Sequence, residues 1–142
     1  MSSDAAGVSA PPQPSTDSET EGFWQATEKD EFALCHCQNC GLWIHPPLER
    51  CRRCAGPTAF DTVSGAGTIA SYIVIRHPTV AGYEVPYPIT LVELDEQVGL
   101  RFVSRLVGTD PEEVRIGQRV QAEIVGLPGG TYRIPVFRLS TR

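Results

Sequence analysis

Outside residues 35–54 the chain has no cysteine, and it carries a single lysine, Lys29. No stretch approaches the roughly 18 consecutive apolar residues that span a bilayer as a helix, so no membrane segment is expected. Residues 1–22 contain no lysine or arginine. The basic start and apolar core of a secretory signal are therefore missing, and the expected location is cytoplasmic. In that reducing compartment, clustered cysteines serve metals more often than disulfides, and an odd count of five also argues against a closed disulfide framework. A basic surplus is absent too. Residues 23–142 hold 13 acidic and 12 basic groups, and four thiolates around one divalent metal would add two more negative charges. Affinity for nucleic acid comes largely from neutralising phosphates, so this balance makes nucleic acid an unlikely partner and leaves only a local basic patch to supply it.

Catalytic signatures are lacking as well. The turn SGAG at residues 64–67 has no following Lys-Ser/Thr to cradle a phosphate. His36, His45 and His77 fall in loop or ribbon contexts with no nucleophile beside them, and Ser71 and Ser104 fall in strands. No catalytic residue is assigned.

What the sequence does have is CHCQNCGLWIHPPLERCRRC, residues 35–54, with all five cysteines. Cys37-x-x-Cys40 and Cys51-x-x-Cys54 are separated by ten residues. Two such turns place four sulfurs at the corners of a tetrahedron about 2.3 Å from one zinc. Gly41 suits the turn that frees backbone N–H groups to face sulfur. With Cys37, Cys40, Cys51 and Cys54 as ligands the shell is full, so the expected cofactor is a structural Zn²⁺ with no position open for water or substrate. Such a site supplies folding free energy that about 25 residues cannot draw from their own core. Cys35 is left over, as a stand-in ligand, a buried small hydrophobe or a free thiol; burial is the favoured reading. Arg50, Arg52 and Arg53 flank the second pair, where they either offset the thiolate charge, the favoured reading, or hold phosphates such as those of CoA.

Along the chain, residues 1–22 are rich in Ser, Ala, Pro and Asp and read as a disordered tail. FWQATEKDEF has Phe23, Trp24 and Thr27 at helical spacing and reads as a short amphipathic helix. FDTVSGAG reads as a turn-rich link. Beyond it come five short strands: TIASYIVI, ITLVELDE, LRFVSRLVG, QRVQAEIVG and YRIPVFRLS. DEQVG makes the second and third a hairpin. Asp110 caps, and Pro111 opens, one helical turn at DPEEV. Val120, Ala122 and Ile124 share one face of their strand, and Pro135 puts the last strand at an edge or bulge. The loop HPTVAGYEVPYP, stiffened by Pro78, Pro86 and Pro88 and carrying Val80, Tyr83, Val85 and Tyr87, is a candidate contact surface, with Tyr83 the better candidate for an interface and Tyr87 for a lid on the barrel. The expected fold is mainly β. It comprises a tail (1–22), a short helix with a rubredoxin-like zinc ribbon (23–62), and a five-stranded OB-fold barrel (63–142).

Taken in order, GFWQAT, CQNCGLWIHPPLERCRRC, SGAGTIASYIV, PYPITLVELDE, LVGTDPEEVRIGQRV and YRIPVFRL resemble the zinc-ribbon/OB-fold proteins long known as domain of unknown function thirty-five, over about residues 22–142. The ribbon motif of that family maps ligand roles onto Cys37, Cys40, Cys51 and Cys54; Cys35 departs from its pattern. The resemblance implies an accessory subunit, not catalytic by itself, in a heteromer with a thiolase-superfamily enzyme: a thiolase, or an aldolase that cleaves steroid side chains held as CoA thioesters. The partner carries the reaction, and the accessory chain helps form or stabilise the acyl-CoA site near the interface. The alternative is a single-strand nucleic-acid binder of the OB type, with Tyr72, Phe102 and Arg101 as its contacts.

Overall fold

The structure, a computed structural model, describes residues 10–78 and 80–140. Helix α1 (Glu21–Glu28) is followed by β1 (Ala33–Cys37), β2 (Trp43–Ile44) and β3 (Thr58–Thr62), then β4 (Ala66–Ile75), β5 (Tyr87–Leu94), β6 (Arg101–Arg105), a 3-10 turn (Pro111–Glu113), β7 (Arg119–Gly126) and β8 (Arg133–Leu139). Two antiparallel sheets result, ordered β2-β1-β3 and β6-β5-β4-β7-β8. A parallel bridge between Leu106 and Phe137 brings the ends of the larger sheet together. Five strands in this order, closed by one parallel contact, make the partly open barrel of an OB-fold. Of the tail expected over residues 1–22, residues 1–9 lie outside the described residues. Residues 10–20 run against the barrel, where the Gln13 amide donates to the Pro128 carbonyl at 2.9 Å and Thr16 pairs with the Tyr132 hydroxyl at 2.8 Å.

Helix α1 begins at Glu21, two residues before the expected boundary, and buries Thr27. Phe23 and Trp24 meet edge to face, Phe23 lies against Phe102, and Trp24 against Tyr132. One correction concerns FDTVSGAG. Its first three residues are strand β3, paired with β1 through Phe60 opposite Cys35 and Thr62 opposite Ala33. The segment reads as a link because its outer face is polar, and a half-exposed edge strand of five residues has little periodicity to show. The barrel strands follow their alternation more closely. Val120 is buried, with Ala122 and Ile124 packed on the core, and Asp110 accepts a hydrogen bond from the Glu112 N–H at 2.9 Å.

Ribbon and barrel share one core: Phe32, Leu34 and Val63 from the first half pack with Ile69, Val92, Phe102 and Phe137 of the barrel. Strand β4 serves this core on both sides of an irregularity between Ile69 and Ser71. At its start the sheet leaves no room for a side chain. A methyl group on Gly67 would sit 2.6 Å from both the Glu93 carbonyl oxygen and Val92 Cγ1. Because backbone is one of those neighbours, Gly67→Ala is expected to cost about 1–3 kcal/mol by overpacking, read as a lower midpoint in urea with an unchanged slope.

Candidate metal centre and docking surfaces

Each knuckle is built by its own backbone. Gly41 has φ +81°, a conformation glycine adopts without strain, and its N–H reaches the Cys37 carbonyl at 3.2 Å. The turn aims the N–H groups of Asn39 and Cys40 at Cys37 Sγ, at 3.4 and 3.3 Å. The second knuckle repeats this, with Arg53 N–H to Cys51 Sγ at 3.3 Å and Gly56 N–H to Cys54 Sγ at 3.4 Å. Strand β1 ends on Cys37 and so fixes the first knuckle to the sheet.

The four sulfurs of Cys37, Cys40, Cys51 and Cys54 all lie within 4.8 Å of one another. Cys37 and Cys54 are 3.5 Å apart, Cys40 and Cys51 3.6 Å, and none is in a disulfide. A tetrahedron of sulfurs about 2.3 Å from a zinc has edges of about 3.8 Å. The spacing and the all-thiolate donor set therefore fit a closed tetrahedral metal site. Electrostatics favour thiolate here. The Leu42 backbone hydrogen bond and then the Arg53 guanidinium bring the Cys40 thiol down to about 6. Arg53 lies 3.3 Å from Cys40 Sγ and 3.4 Å from its carbonyl, so it offsets part of the cluster's negative charge, as the local-charge reading expects. Arg50 reaches the Ala55 carbonyl at 3.5 Å, and Arg52 is exposed.

Cys35 is not in the cluster. It is buried, and its thiol points at the Leu48 carbonyl at 3.4 Å, which matches the buried reading. The histidines do not join the sulfurs either. His36 stacks on Trp43 with centroids 3.8 Å apart and holds Asp61 at 2.8 Å. That contact, after the Gln38 amide, keeps the Asp61 carboxyl below its ordinary range. His45 faces Phe102, and desolvation lowers its pKa. His77 is exposed.

Of the two tyrosines of the proline-rich loop, Tyr87 follows the lid reading. Tyr87 is 8% exposed and belongs to the core, while Tyr83 lies half-buried above it with the Arg105 guanidinium 4.5 Å from its ring. Of the residues assigned to single-strand binding, Phe102 is a core residue, Tyr72 packs on the core, and Arg101 is paired with Glu93. Sequence reasoning missed a hollow of about 340 Å³ between α1, the His45–Pro47 loop and the barrel, lined by Phe23, Trp24, Phe102, Val103, Ile134 and Pro135 among others. Its walls come from six separate segments, so no local pattern announces it. Among the described residues no helix is long and apolar enough to cross a membrane.

Comparison with known proteins places this architecture. The family model for the C-terminal OB-fold domain of ChsH2 matches residues 61–125. A DUF35 domain-containing scaffold protein of Methanocaldococcus jannaschii is 37% identical over 99 residues, covering 66% of this chain and 69% of the relative. The 3-oxo-4,17-pregnadiene-20-carboxyl-CoA hydratase alpha subunit of Mycobacterium tuberculosis is 34% identical over 117 residues, covering 82% of this chain; the chain spans 37% of the length of that curated relative. The solved Ltp2-ChsH2(DUF35) aldolase superposes with a TM-score of 0.82 at 30% identity, covering 89% of this chain and 98% of that one. The chain belongs to the DUF35 family of OB-fold proteins that includes these scaffold and ChsH2 domains.

Proposed function

We propose that this chain is a zinc-bearing accessory subunit, not catalytic by itself, that docks on a thiolase-superfamily enzyme and helps form or stabilise its acyl-CoA site. The partner is a thiolase or an aldolase acting on acyl-CoA side chains, and the setting is steroid or lipid degradation. The observation that carries this reading is the match to almost the whole of a chain from the Ltp2-ChsH2(DUF35) aldolase. The scaffold and steroid-CoA hydratase relatives support it. So does the site chemistry. Cys37, Cys40, Cys51 and Cys54 would hold Zn²⁺ with a full set of thiolates, which stabilises structure and offers no open coordination for substrate. His36 is held by Asp61 and stacked on Trp43, and His45 faces Phe102.

The test is to co-express the chain with a thiolase-fold enzyme encoded beside it. A stable heteromer is expected, with acyl-CoA turnover falling by about two orders of magnitude or more when this chain is omitted, the scale on which a site loses positioning. Full turnover by the enzyme alone would overturn the reading.

A further inference from the structure

The barrel is not sealed along β6, and Pro135 is the reason. In an antiparallel ladder alternate residues direct both backbone groups to the same neighbour. The Leu94 N–H donates to the Leu100 carbonyl and the Leu106 N–H to the Pro88 carbonyl. This phase turns Phe102 and Ser104 toward β5 and turns Arg101 and Val103 away from it. On β8 the Leu127 N–H to Tyr132 carbonyl bond sets the opposite strand in the same way, so that Pro135 and Phe137 face the seam. Phe137 closes the seam through its bridge to Leu106, its carbonyl accepting from the Val107 N–H at 2.8 Å. Two residues earlier Pro135 has no N–H to give, and its carbonyl accepts from the Ser104 hydroxyl at 2.6 Å. Pairing between the two strands stops there. Val103 is left on a strand edge, 59% exposed, and the hollow between Phe23, Phe102 and Pro135 opens beside it.

We propose that the Val103 edge of β6, together with this hollow, is a strand-addition site for an extended segment of the docked enzyme subunit. For the source of that segment the inference rests on the docking reading above. A free strand edge offers main-chain donors and acceptors at strand spacing, which only another extended backbone complements. A helix or an acyl chain would leave them unpaired. An added strand alternates its side chains, so one apolar side chain enters the hollow on the Phe102 side while its neighbours lie beside Val103 and Leu91, which pair on the outer face.

The test uses the full chain. Backbone amides of Phe102 and Ser104 are expected to resist hydrogen exchange while that of Val103 exchanges readily; protection of Val103 in the free protein would overturn the proposal. A display library of random nine-residue segments is expected to yield binders with alternating apolar residues. Val103→Pro removes an N–H that the β5 ladder does not use, so the fold should be retained. Binder affinity should fall about tenfold, the worth of one hydrogen bond. No enriched segment, or equal binding by Val103→Pro, would overturn the proposal. In the enzyme heteromer, a weakened complex with Val103→Pro supports strand addition, and an unchanged one overturns it while docking itself stands. If the unmodified chain forms no heteromer but binds library segments, the docking reading fails and the edge site does not.

Discussion

Replacing Cys51 by serine is expected to abolish bound zinc, from one per chain to none by elemental analysis, and to unfold the region from Ala33 to Thr62. Cys51 is buried, and its sulfur sits 3.6 Å from Cys40 Sγ. A serine hydroxyl neither ionises at neutral pH nor matches thiolate affinity for zinc. Metal binding in isolated structural zinc peptides contributes on the order of 10–16 kcal/mol, as much as the whole net stability of an ordinary domain. The local core left behind, Ile44 with Cys35 and Phe60, cannot replace that. Damage should reach the barrel, because Phe32 and Leu34 precede the knuckles yet pack against Val92 and Phe102. A strong chelator should reproduce the loss, seen as protease cleavage between residues 37 and 58. Cys35→Ser is the control. Its thiol faces the Leu48 carbonyl and not the cluster, so zinc content should stay at one per chain. Full zinc content in Cys51→Ser would remove the tetrathiolate site from the account.

The cluster was legible in the sequence because its information is local: two C-x-x-C turns close their own sulfur cages through backbone N–H groups a residue or two away. The barrel strands were legible for a similar reason, since Val120, Ala122 and Ile124 show their period within one strand. What the sequence hid is long-range. The Gln97 amide, in the turn after β5, donates to the Trp43 carbonyl at 3.0 Å and accepts from its N–H at 2.8 Å, across 54 residues. Nothing about a glutamine in a turn announces that it ties the barrel to the ribbon. Strand β3 was hidden by its polar outer face. The open seam was half visible: Pro135 signals an edge, but which edge, and what lies beside it, depends on where β6 and α1 arrive.

Phe102→Ala is expected to cost about 3–5 kcal/mol, the range for emptying a large aromatic site in a core. In a chain of this size that lowers the thermal midpoint by on the order of 10 °C. Phe102 is 9% exposed and touches every part of the molecule at once: Phe23 of α1 at 5.9 Å, Phe32 before the ribbon at 4.9 Å, His45 between the knuckles at 5.1 Å and Phe137 of β8 at 6.4 Å between centroids. Its loss should therefore uncouple the helix and ribbon from the barrel, so that a single unfolding transition separates into two. Phe102→Leu retains most of the apolar volume and should keep one transition at a smaller cost. The substitution also weighs the single-strand binding alternative. A stacking platform needs aromatic faces open to bases, and this ring is 9% exposed with four other rings within 6.4 Å of it. Any oligonucleotide binding by the folded chain should thus be indifferent to Phe102→Leu, whereas a selective, salt-sensitive loss with the fold intact would show that the ring leaves the core to meet a base.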